Sequence, residues 1–157
     1  MATSTDTIKT DYPLPVYNYR VEIGSEAVAF TEVSGLSISY ETSTYKESQT
    51  ASGSVGPRII YMPAQRNMVS ITLKKGLVRQ TSLRVLYGWL KTVALNQIEK
   101  KDIWVRLCDE KGEPVISWKV TNAFPVKLDA PTFDAKSNDA AIESMELKAD
   151  SVSIEEA

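Results

Sequence analysis

The sequence contains no histidine and a single cysteine, Cys108. Histidine is the commonest general base near neutral pH and the commonest transition-metal ligand. Its absence excludes catalytic arrangements of the Ser-His-Asp and Cys-His kinds. One cysteine without histidine also excludes an ordinary zinc site and leaves no partner for an internal disulfide. We therefore expect no catalytic residues, no metal and no cofactor, and the cysteine content fits synthesis in a reducing compartment.

Two other kinds of candidate catalytic residue are present in the sequence: paired carboxylates and the single cysteine. A hydrolase built on paired carboxylates remains an alternative, although Asp109 and Glu110 lie in a predicted turn, where solvated carboxylates are common. Cys108 ends a core-facing alternation, and we interpret it as a small buried apolar group rather than a nucleophile.

The sequence has neither an excess of basic residues nor a long apolar run. Lysine and arginine number 18 against 20 aspartates and glutamates, so a basic surface for sequence-specific nucleic-acid binding is not expected. No apolar run approaches the roughly twenty residues that span a bilayer, so we expect no stable membrane insertion. The polar residues after Met1 do not form a secretory signal, which predicts cytoplasmic synthesis without a signal peptide.

The composition is that of one globular domain, residues 1–157, and its clearest pattern lies in residues 101–131. Apolar and polar residues alternate on both sides of a polar turn at residues 109–114. The apolar positions are Ile103, Val105 and Leu107 before the turn, and Ile116, Trp118 and Val120 after it. A period of two around such a turn predicts a β-hairpin with one buried face. Pro125 predicts a bend or a sheet edge, after which Val126 and Leu128 predict a third strand.

Further strands and one helix follow from the same kind of pattern. Alternation predicts strands over residues 16–23, 28–33, 36–40 and 68–73. An apolar stripe of Leu83, Leu86, Leu90 and Val93 predicts a helix over Thr81–Leu95, with Thr81 or Ser82 as its N-cap and Trp89 beside the stripe. Residues 140–149 fit a helix by propensity and a strand by alternation, and Val152 and Ile154 continue a period of two. Many short strands with one helix predict a β-sandwich or open barrel.

Two segments lack periodicity. Residues 1–11 predict a flexible N-terminal arm that could order on a partner. Residues 46–66 predict a long connection, rich in Ser, Thr and Gly up to Pro57, and connections of that length are usually functional or disordered. The Ile59-Ile60-Tyr61 patch inside this connection needs a cover, which is either its own domain or a neighbouring molecule.

Several segments, taken in order along nearly the whole chain, carry a family resemblance. They are YNYRVEI (17–23), FTEVSGL (30–36) with Tyr40-Glu41, LKKG (73–76), LYGWL (86–90), DEKGEP (109–114), WKVTNAFP (118–125) and AIESMEL (141–147). Together they resemble the tail tube, or inner tube, protein family of contractile-tailed phages and extracellular contractile injection systems. MPAQR (62–66) is close to the family pattern, whereas residues 49–55 match it least.

The resemblance implies a structural protein without catalytic activity. Its fold would be two packed antiparallel sheets with a flanking α-helix and a long inter-strand loop, and residues 140–149 would then be a strand. Family members form hexameric rings by joining sheets edge to edge, and the rings stack into a hollow tube inside a contractile sheath, with baseplate and terminator proteins at the ends. Sheath contraction drives the tube through a target envelope, and DNA or a protein effector passes through the lumen. The particle is a virion tail or an extracellular, membrane-anchored or cytoplasmic injection device.

The resemblance also assigns candidate sites on an assembly loop at 46–66 and on the channel wall. We expect inter-ring or inter-subunit contacts at Tyr45, Lys46, Arg58, Ile59, Ile60, Tyr61 and Met62. Small polar outward positions suit a wetted wall that cargo slides past, and these are Ser37, Ser39, Glu41, Ser43, Ser70 and Thr72. Two alternatives remain: a tube-initiator paralogue of the same family at the baseplate, and a monomeric β-sandwich module that binds a ligand.

Overall fold

The computed structural model describes residues 2–49, 53, 55–94 and 96–156. Its strands are β1 (Tyr19–Ile23), β2 (Glu26–Val28), β3 (Glu32–Ser34), β4 (Tyr40–Ser48), β5 (Pro57–Arg66), β6 (Val69–Gly76), β7 (Lys101–Cys108), β8 (Pro114–Asp129), β9 (Ile142–Ala149) and β10 (Ser151–Glu156). A short helix, α1, covers Thr5–Asp11. A second, α2, passes through an α-helical turn (Arg79–Thr81), a π-helical segment (Ser82–Tyr87) and a final α-helical segment (Gly88–Ala94). Leu95, predicted as the last residue of this helix, and parts of the predicted arm and loop (1, 50–52 and 54) lie outside the described residues.

Eight strands form an antiparallel sheet in the order β2-β1-β7-β8-β9-β6-β3, and β10 also pairs with β8. The long strand β8 belongs to two parts of this sheet. Its first half pairs with β7 and β10, which gives the first sheet (β2-β1-β7-β8-β10), and its second half pairs with β9, which gives the second sheet (β8-β9-β6-β3). The two sheets share one core, so the predicted class of two packed antiparallel sheets with a flanking helix is confirmed.

A polar cluster marks the point where β8 passes from one sheet to the other. Asn122 has φ 55°, a left-handed conformation that asparagine tolerates better than most residues. Its backbone N–H donates to Asp102 Oδ1 (3.1 Å), and its side-chain Nδ2 donates to Asp150 Oδ2 (2.9 Å). The N–H of Asp150 donates to the carbonyl of Thr121 (3.1 Å), which joins the bends of the two neighbouring strands.

Inward-facing residues of both sheets and one face of α2 make a single apolar core. It includes Val21, Ile23, Ile103 and Val120 from the first sheet, Ile71, Leu73, Met145 and Leu147 from the second, and Leu86 and Trp89 from α2. The indole N–H of the buried Trp89 has a hydrogen-bond partner, because Nε1 donates to the carbonyl of Glu99 (2.6 Å). The helix therefore closes the core against the sheets as expected from its amphipathic pattern.

The structure confirms some predicted strands and corrects others. The hairpin around residues 109–114 is present as β7 and β8, and the ambiguous residues 140–149 form a strand, β9. The predicted third strand at 126–128 is instead the continuation of β8 past Pro125. The predicted strand over 28–33 is two short strands, β2 and β3, because the chain crosses from one sheet to the other between them.

The predicted helix is real, but its buried face is shifted. Leu83 is 62% exposed, whereas Trp89, predicted to flank the stripe, is buried with Leu86. The helix begins at Arg79, so Thr81 and Ser82 both lie inside it and neither is its N-cap. The Ser82 hydroxyl instead accepts a hydrogen bond from the N–H of Val78 (3.1 Å). A π-helical turn changes which residues share a face, and this accounts for a stripe that regular α-helical spacing misplaces.

The predicted N-terminal arm contains helix α1. Ser4 caps it by accepting a hydrogen bond from the N–H of Thr7 (3.1 Å), and none of its residues is buried. The helix is short, and helices of this length are marginal in water without tertiary support.

A buried polar network joins α2 to the second sheet. Glu143 accepts a hydrogen bond from the Ser82 hydroxyl (2.5 Å), and its Oε1 lies 4.0 Å from Lys75 Nζ. Lys75 Nζ also donates to the carbonyl of Gly76 (2.8 Å). The side chains of Lys75 and Glu143 are only 6% and 5% exposed, so each charge depends on the other for compensation.

Replacing Leu86 by alanine should lower the free energy of unfolding by about 2–5 kcal/mol, because the substitution leaves a cavity in the core. Leu83→Ala on the exposed face of the same helix is the matched control and should change it by no more than about 0.5 kcal/mol. Urea unfolding measures both. Equal losses at the two positions would contradict the burial of Leu86.

Removing one partner of the buried ion pair should cost more than removing both. Lys75→Met leaves the Glu143 carboxylate buried without its cation, and we expect a loss of about 3–5 kcal/mol. Lys75→Met combined with Glu143→Leu should recover part of that loss, because no charge then remains to be desolvated. A double-mutant cycle by chemical denaturation gives the coupling energy. A double variant less stable than Lys75→Met alone would refute this account.

Candidate functional site

The predicted assembly loop is a long β-hairpin. Strands β4 and β5 pair over most of their length and form a two-stranded sheet separate from the eight-stranded one. With 10 residues, β5 is about 33 Å long at about 3.3 Å per residue. The sequence suggested an unstructured connection here, because its Ser, Thr and Gly content hides a strand that has no buried face.

The hairpin divides the predicted contact residues between its two faces. Residues directly opposite each other in an antiparallel pair share a face, and Tyr45 lies opposite Ile60, as Ser43 does opposite Met62. Arg58 on this face forms an ion pair with Glu47 (3.9 Å). The other face carries the remaining predicted residues, Lys46, Ile59 and Tyr61. The Ile59-Ile60-Tyr61 patch is therefore two apolar surfaces, one on each side of the hairpin.

Neither face of the hairpin is covered by its own subunit. Tyr61 is 74% exposed and Tyr45 is 49% exposed, and Ile59 and Met62 are also exposed. Ile60 is the least exposed of the set and is partly buried. An isolated two-stranded hairpin is marginally stable in water, so a hairpin of this length with apolar residues on both faces calls for a neighbouring surface.

The root of the hairpin is held close to the second sheet. Gly35 adopts φ 90°, and a Cβ atom at this position would lie 2.2 Å from the carbonyl oxygen of Ser70, so glycine is required. Beyond it, the N–H of Asn67 donates to the carbonyl of Ser39 (3.0 Å), and Asn67 Nδ2 donates to the Ser39 hydroxyl (3.0 Å). Residues 36–39, predicted as strand, are irregular here, and Leu36 packs against the core.

The predicted channel-wall residues fall in two places. Ser70 and Thr72 lie on the outer face of the second sheet, whereas Ser37 and Ser39 lie at the hairpin root. Glu41 and Ser43 belong to β4, where both are exposed.

The outer face of the second sheet combines small hydroxyls with paired charges. Its ion pairs are Glu32 with Lys74 (3.5 Å), Glu146 with Lys148 (3.2 Å) and Asp129 with Lys127 (3.4 Å). Hydrogen bonds from Lys148 and then Ser70 lower the pKa of the Glu146 carboxyl from its ordinary value. Sequence reasoning found the hydroxyls but missed these pairs, which alternation and strand register could have indicated.

Four strand edges of the eight-stranded sheet have no pairing partner among the described residues. Three are the outer edges of β2, β3 and β10, each of which pairs with one strand only. The fourth is the second half of β8, which extends past the end of β7 and pairs only with β9. Open edges present unsatisfied backbone groups to other strands.

An apolar cleft of about 420 Å³ opens between the two sheets, with Leu36, Leu107 and Trp118 among its walls. Tyr19 also lines it and donates its hydroxyl to the carbonyl of Phe30 (2.7 Å). Burial, and then the nearby Glu32 carboxylate, raises the pKa of Tyr19.

Among the described residues, no group of three or more potential acidic or cysteine ligands is placed to hold a metal ion. In the same part of the chain, no helix is long and apolar enough to cross a membrane.

Comparison with solved structures gives close relatives over the whole chain. A chain from the PVC sheath-tube complex of an extracellular contractile injection system, in its extended state, is 41% identical, with a TM-score of 0.88, 99% of this chain covered and 100% of the other. A chain from the tube-terminating cap of the anti-feeding prophage is 40% identical, with a TM-score of 0.84 and full coverage of both chains. Hcp1 from Flavobacterium johnsoniae shares the fold at 19% identity and a TM-score of 0.51, covering 90% of this chain and 97% of its own.

Comparison with curated protein sequences gives no significant match. Comparison with models of protein families gives a match: residues 15–153 match the family described as T4-like virus tail tube protein gp19. This match includes the hairpin, both sheets and α2, and the chain therefore belongs to the T4-like tail tube protein family.

Proposed function

We propose that this protein is the main subunit of the inner tube of a contractile injection particle and that it has no catalytic role. Copies form hexameric rings, and the rings stack into a hollow tube surrounded by a sheath, with baseplate and terminator proteins at its ends. Family membership supports this assignment, as does the 41% identity to a chain of a sheath-tube complex. By the same likeness, the particle is an extracellular injection device or a phage tail.

Ring closure would use the open strand edges. A closed ring satisfies edge groups that a lone subunit leaves to solvent, as barrel closure does within one chain. The second sheet offers two different edges, β3 and the second half of β8. Two unlike edges suit a head-to-tail interface, which is the kind that closes into a ring.

Stacking of rings would use the β4–β5 hairpin, and its exposed apolar faces are the observation that carries the proposal. A surface with Tyr45, Ile60 and Met62 on one side and Ile59 and Tyr61 on the other gains stability only when another copy covers it. Lys46 and Arg58 at the same level of the hairpin would supply polar contacts at the rim of that interface.

The outer face of the second sheet is our candidate for the lumen wall, extended by Ser37, Ser39, Glu41 and Ser43 at the hairpin. Ser70 and Thr72 place small hydroxyls between ion pairs whose charges cancel. A wall of this kind offers no strong attraction to cargo of either charge. DNA or a protein effector could therefore pass without adhering.

The two alternatives have less support. A tube-initiator ring at the baseplate would share the fold, but the relatives at 40–41% identity come from a sheath-tube complex and a tube-terminating cap. A monomeric ligand-binding module would bind its ligand in the cleft beside Tyr19 and Trp118. That function does not explain why the hairpin exposes apolar residues.

Placing a charge in the hairpin interface should block assembly without unfolding the subunit. We expect Ile60→Asp to remain soluble with an unchanged melting temperature, because this side chain lies outside the core. Tube formation should be abolished, since the buried charge would lack a partner. Electron microscopy and sedimentation measure the tubes, and Ile60→Val is the matched control that should assemble normally. Tubes of normal length from Ile60→Asp would defeat the proposal for the hairpin.

Site-directed labelling should place the second sheet inside the tube. In a Cys108→Ser background, Ser70→Cys should carry a small maleimide-linked gold cluster in the lumen. Arg20→Cys, an exposed position on the outer face of the first sheet, should carry it on the tube exterior. Electron microscopy of tube cross-sections distinguishes the two positions. Gold from Ser70→Cys on the exterior would reverse the assignment of the lumen face.

A further inference from the structure

The N-terminal segment folds back, so that Lys9 and Asn18 contact the same turn between β7 and β8. Asn18 is fixed to the β7–β8 turn, because its Nδ2 donates to the carbonyl of Asp109 (2.6 Å) and its carbonyl accepts from the N–H of Cys108 (2.8 Å). Lys9 returns to the same turn, where its Nζ lies 3.2 Å from Glu110 Oε1. Residues 9–18 therefore form a closed loop that begins and ends at one place.

This loop is poorly packed. It encloses a gap of about 450 Å³, with Ile8, Tyr12 and Tyr17 among its walls on the arm and Cys108 and Val115 on the body. Tyr17 is 82% exposed and Tyr12 is 51% exposed, so the arm covers little of its own apolar surface. A tight core would fill such a gap, and its presence indicates that the arm fits its own subunit incompletely.

The contact that holds the arm in place is weak but directed. The Lys9–Glu110 pair is more than half exposed on both sides, and exposed ion pairs of this kind contribute little to stability. A hydrogen bond from its own backbone N–H, and then the Lys9 ammonium, lowers the pKa of the Glu110 carboxyl. Any arm that presents a lysine at this position would be attracted to the turn.

The hinge favours exchange over closure. Pro13 and Pro15 fix φ in the connecting segment and favour extended backbone before each of them, as Tyr12 shows with φ −84° and ψ 146°. Short hinges under constraint are the usual origin of domain swapping, in which an identical element of another copy makes the same contacts. Extended, residues 10–17 would span on the order of 25 Å at about 3.3 Å per residue, which is enough to place Lys9 on the surface of a subunit in contact with its own.

We propose that residues 2–9 exchange between adjacent copies in the assembled tube, with residues 10–17 as the connection and Lys9 of one copy paired to Glu110 of the next. The inference rests on the proposed function, because only an assembly keeps a second copy at the required distance. Exchange opens the constrained loop and keeps the ion pair, and the non-covalent contacts of each arm then tie its subunit to the neighbouring one. The arm then connects two copies instead of packing on its own subunit.

Single-cysteine proteins test the exchange. In the Cys108→Ser background, Lys9→Cys subunits are mixed with Glu110→Cys subunits before assembly, and the tubes are treated with a short bismaleimide. In this mixture each cross-link between the two positions must join two chains. We expect a covalent dimer on a denaturing gel from mixed tubes and none from dispersed subunits or from tubes of either variant alone.

A variant with both cysteines in one chain distinguishes the closed arm from the exchanged arm. Lys9→Cys with Glu110→Cys should cross-link inside one chain when dispersed and should give ladders of linked chains when assembled. Glu32→Cys with Lys74→Cys is the matched control, because these residues pair across β3 and β6 of one subunit at a similar ion-pair distance, 3.5 Å. This control should link only within a chain in both states. Thr10→Cys with Lys111→Cys repeats the test while leaving the Lys9–Glu110 pair intact.

The outcomes separate this inference from the proposed function. Tubes that are visible by electron microscopy but give only intrachain links would overturn the exchange and leave the tube assignment standing. Failure of the unaltered protein to form tubes under any condition would overturn both.

Discussion

The shared bend of β8 and of the β9–β10 segment is the constraint on which the architecture depends. These two runs of chain pair along their whole length and turn together from one sheet into the other. Asn122, in a left-handed conformation, and Asp150 face each other at the turn and satisfy one another's hydrogen bonds, with Asp102 as the third member. These hydrogen bonds lie at the surface, where water could replace them, so the cluster fixes the direction of the bend rather than preventing an unpaired buried group.

The same bend creates the surfaces that assembly would use. Because β8 continues beyond the end of β7 at the bend, its second half has a free edge in the second sheet. Strand β10 has a free edge in the first sheet. Because β9 also turns away after Ala149, the chain that precedes β6 continues past it as the unsupported β4–β5 hairpin. The core thus stabilises a subunit whose edges and hairpin remain incomplete by themselves, which is the expected condition for a protein that works as a polymer.

Local pattern predicted the strands that have one buried face. Ile103 and Val105, or Met145 and Leu147, alternate with polar residues because one side of each strand meets the core. The β4–β5 hairpin was missed for the opposite reason, since both of its faces are exposed and no alternation marks it. The predicted contact residues all fall in this one element, but their division between its two faces required the register of Tyr45 with Ile60.

By itself, the sequence excluded catalytic sites that depend on histidine and indicated the class of fold and the family. Absence of histidine and the period of two are properties of composition and order, and they need no knowledge of distant contacts. Only the tertiary structure decided where β8 changes sheets, which face of α2 is buried and where the N-terminal arm rests. Each of these depends on residues far apart in the chain, such as Asn122 with Asp102, Ser82 with Glu143 and Lys9 with Glu110, and local pattern carries no information about such pairs.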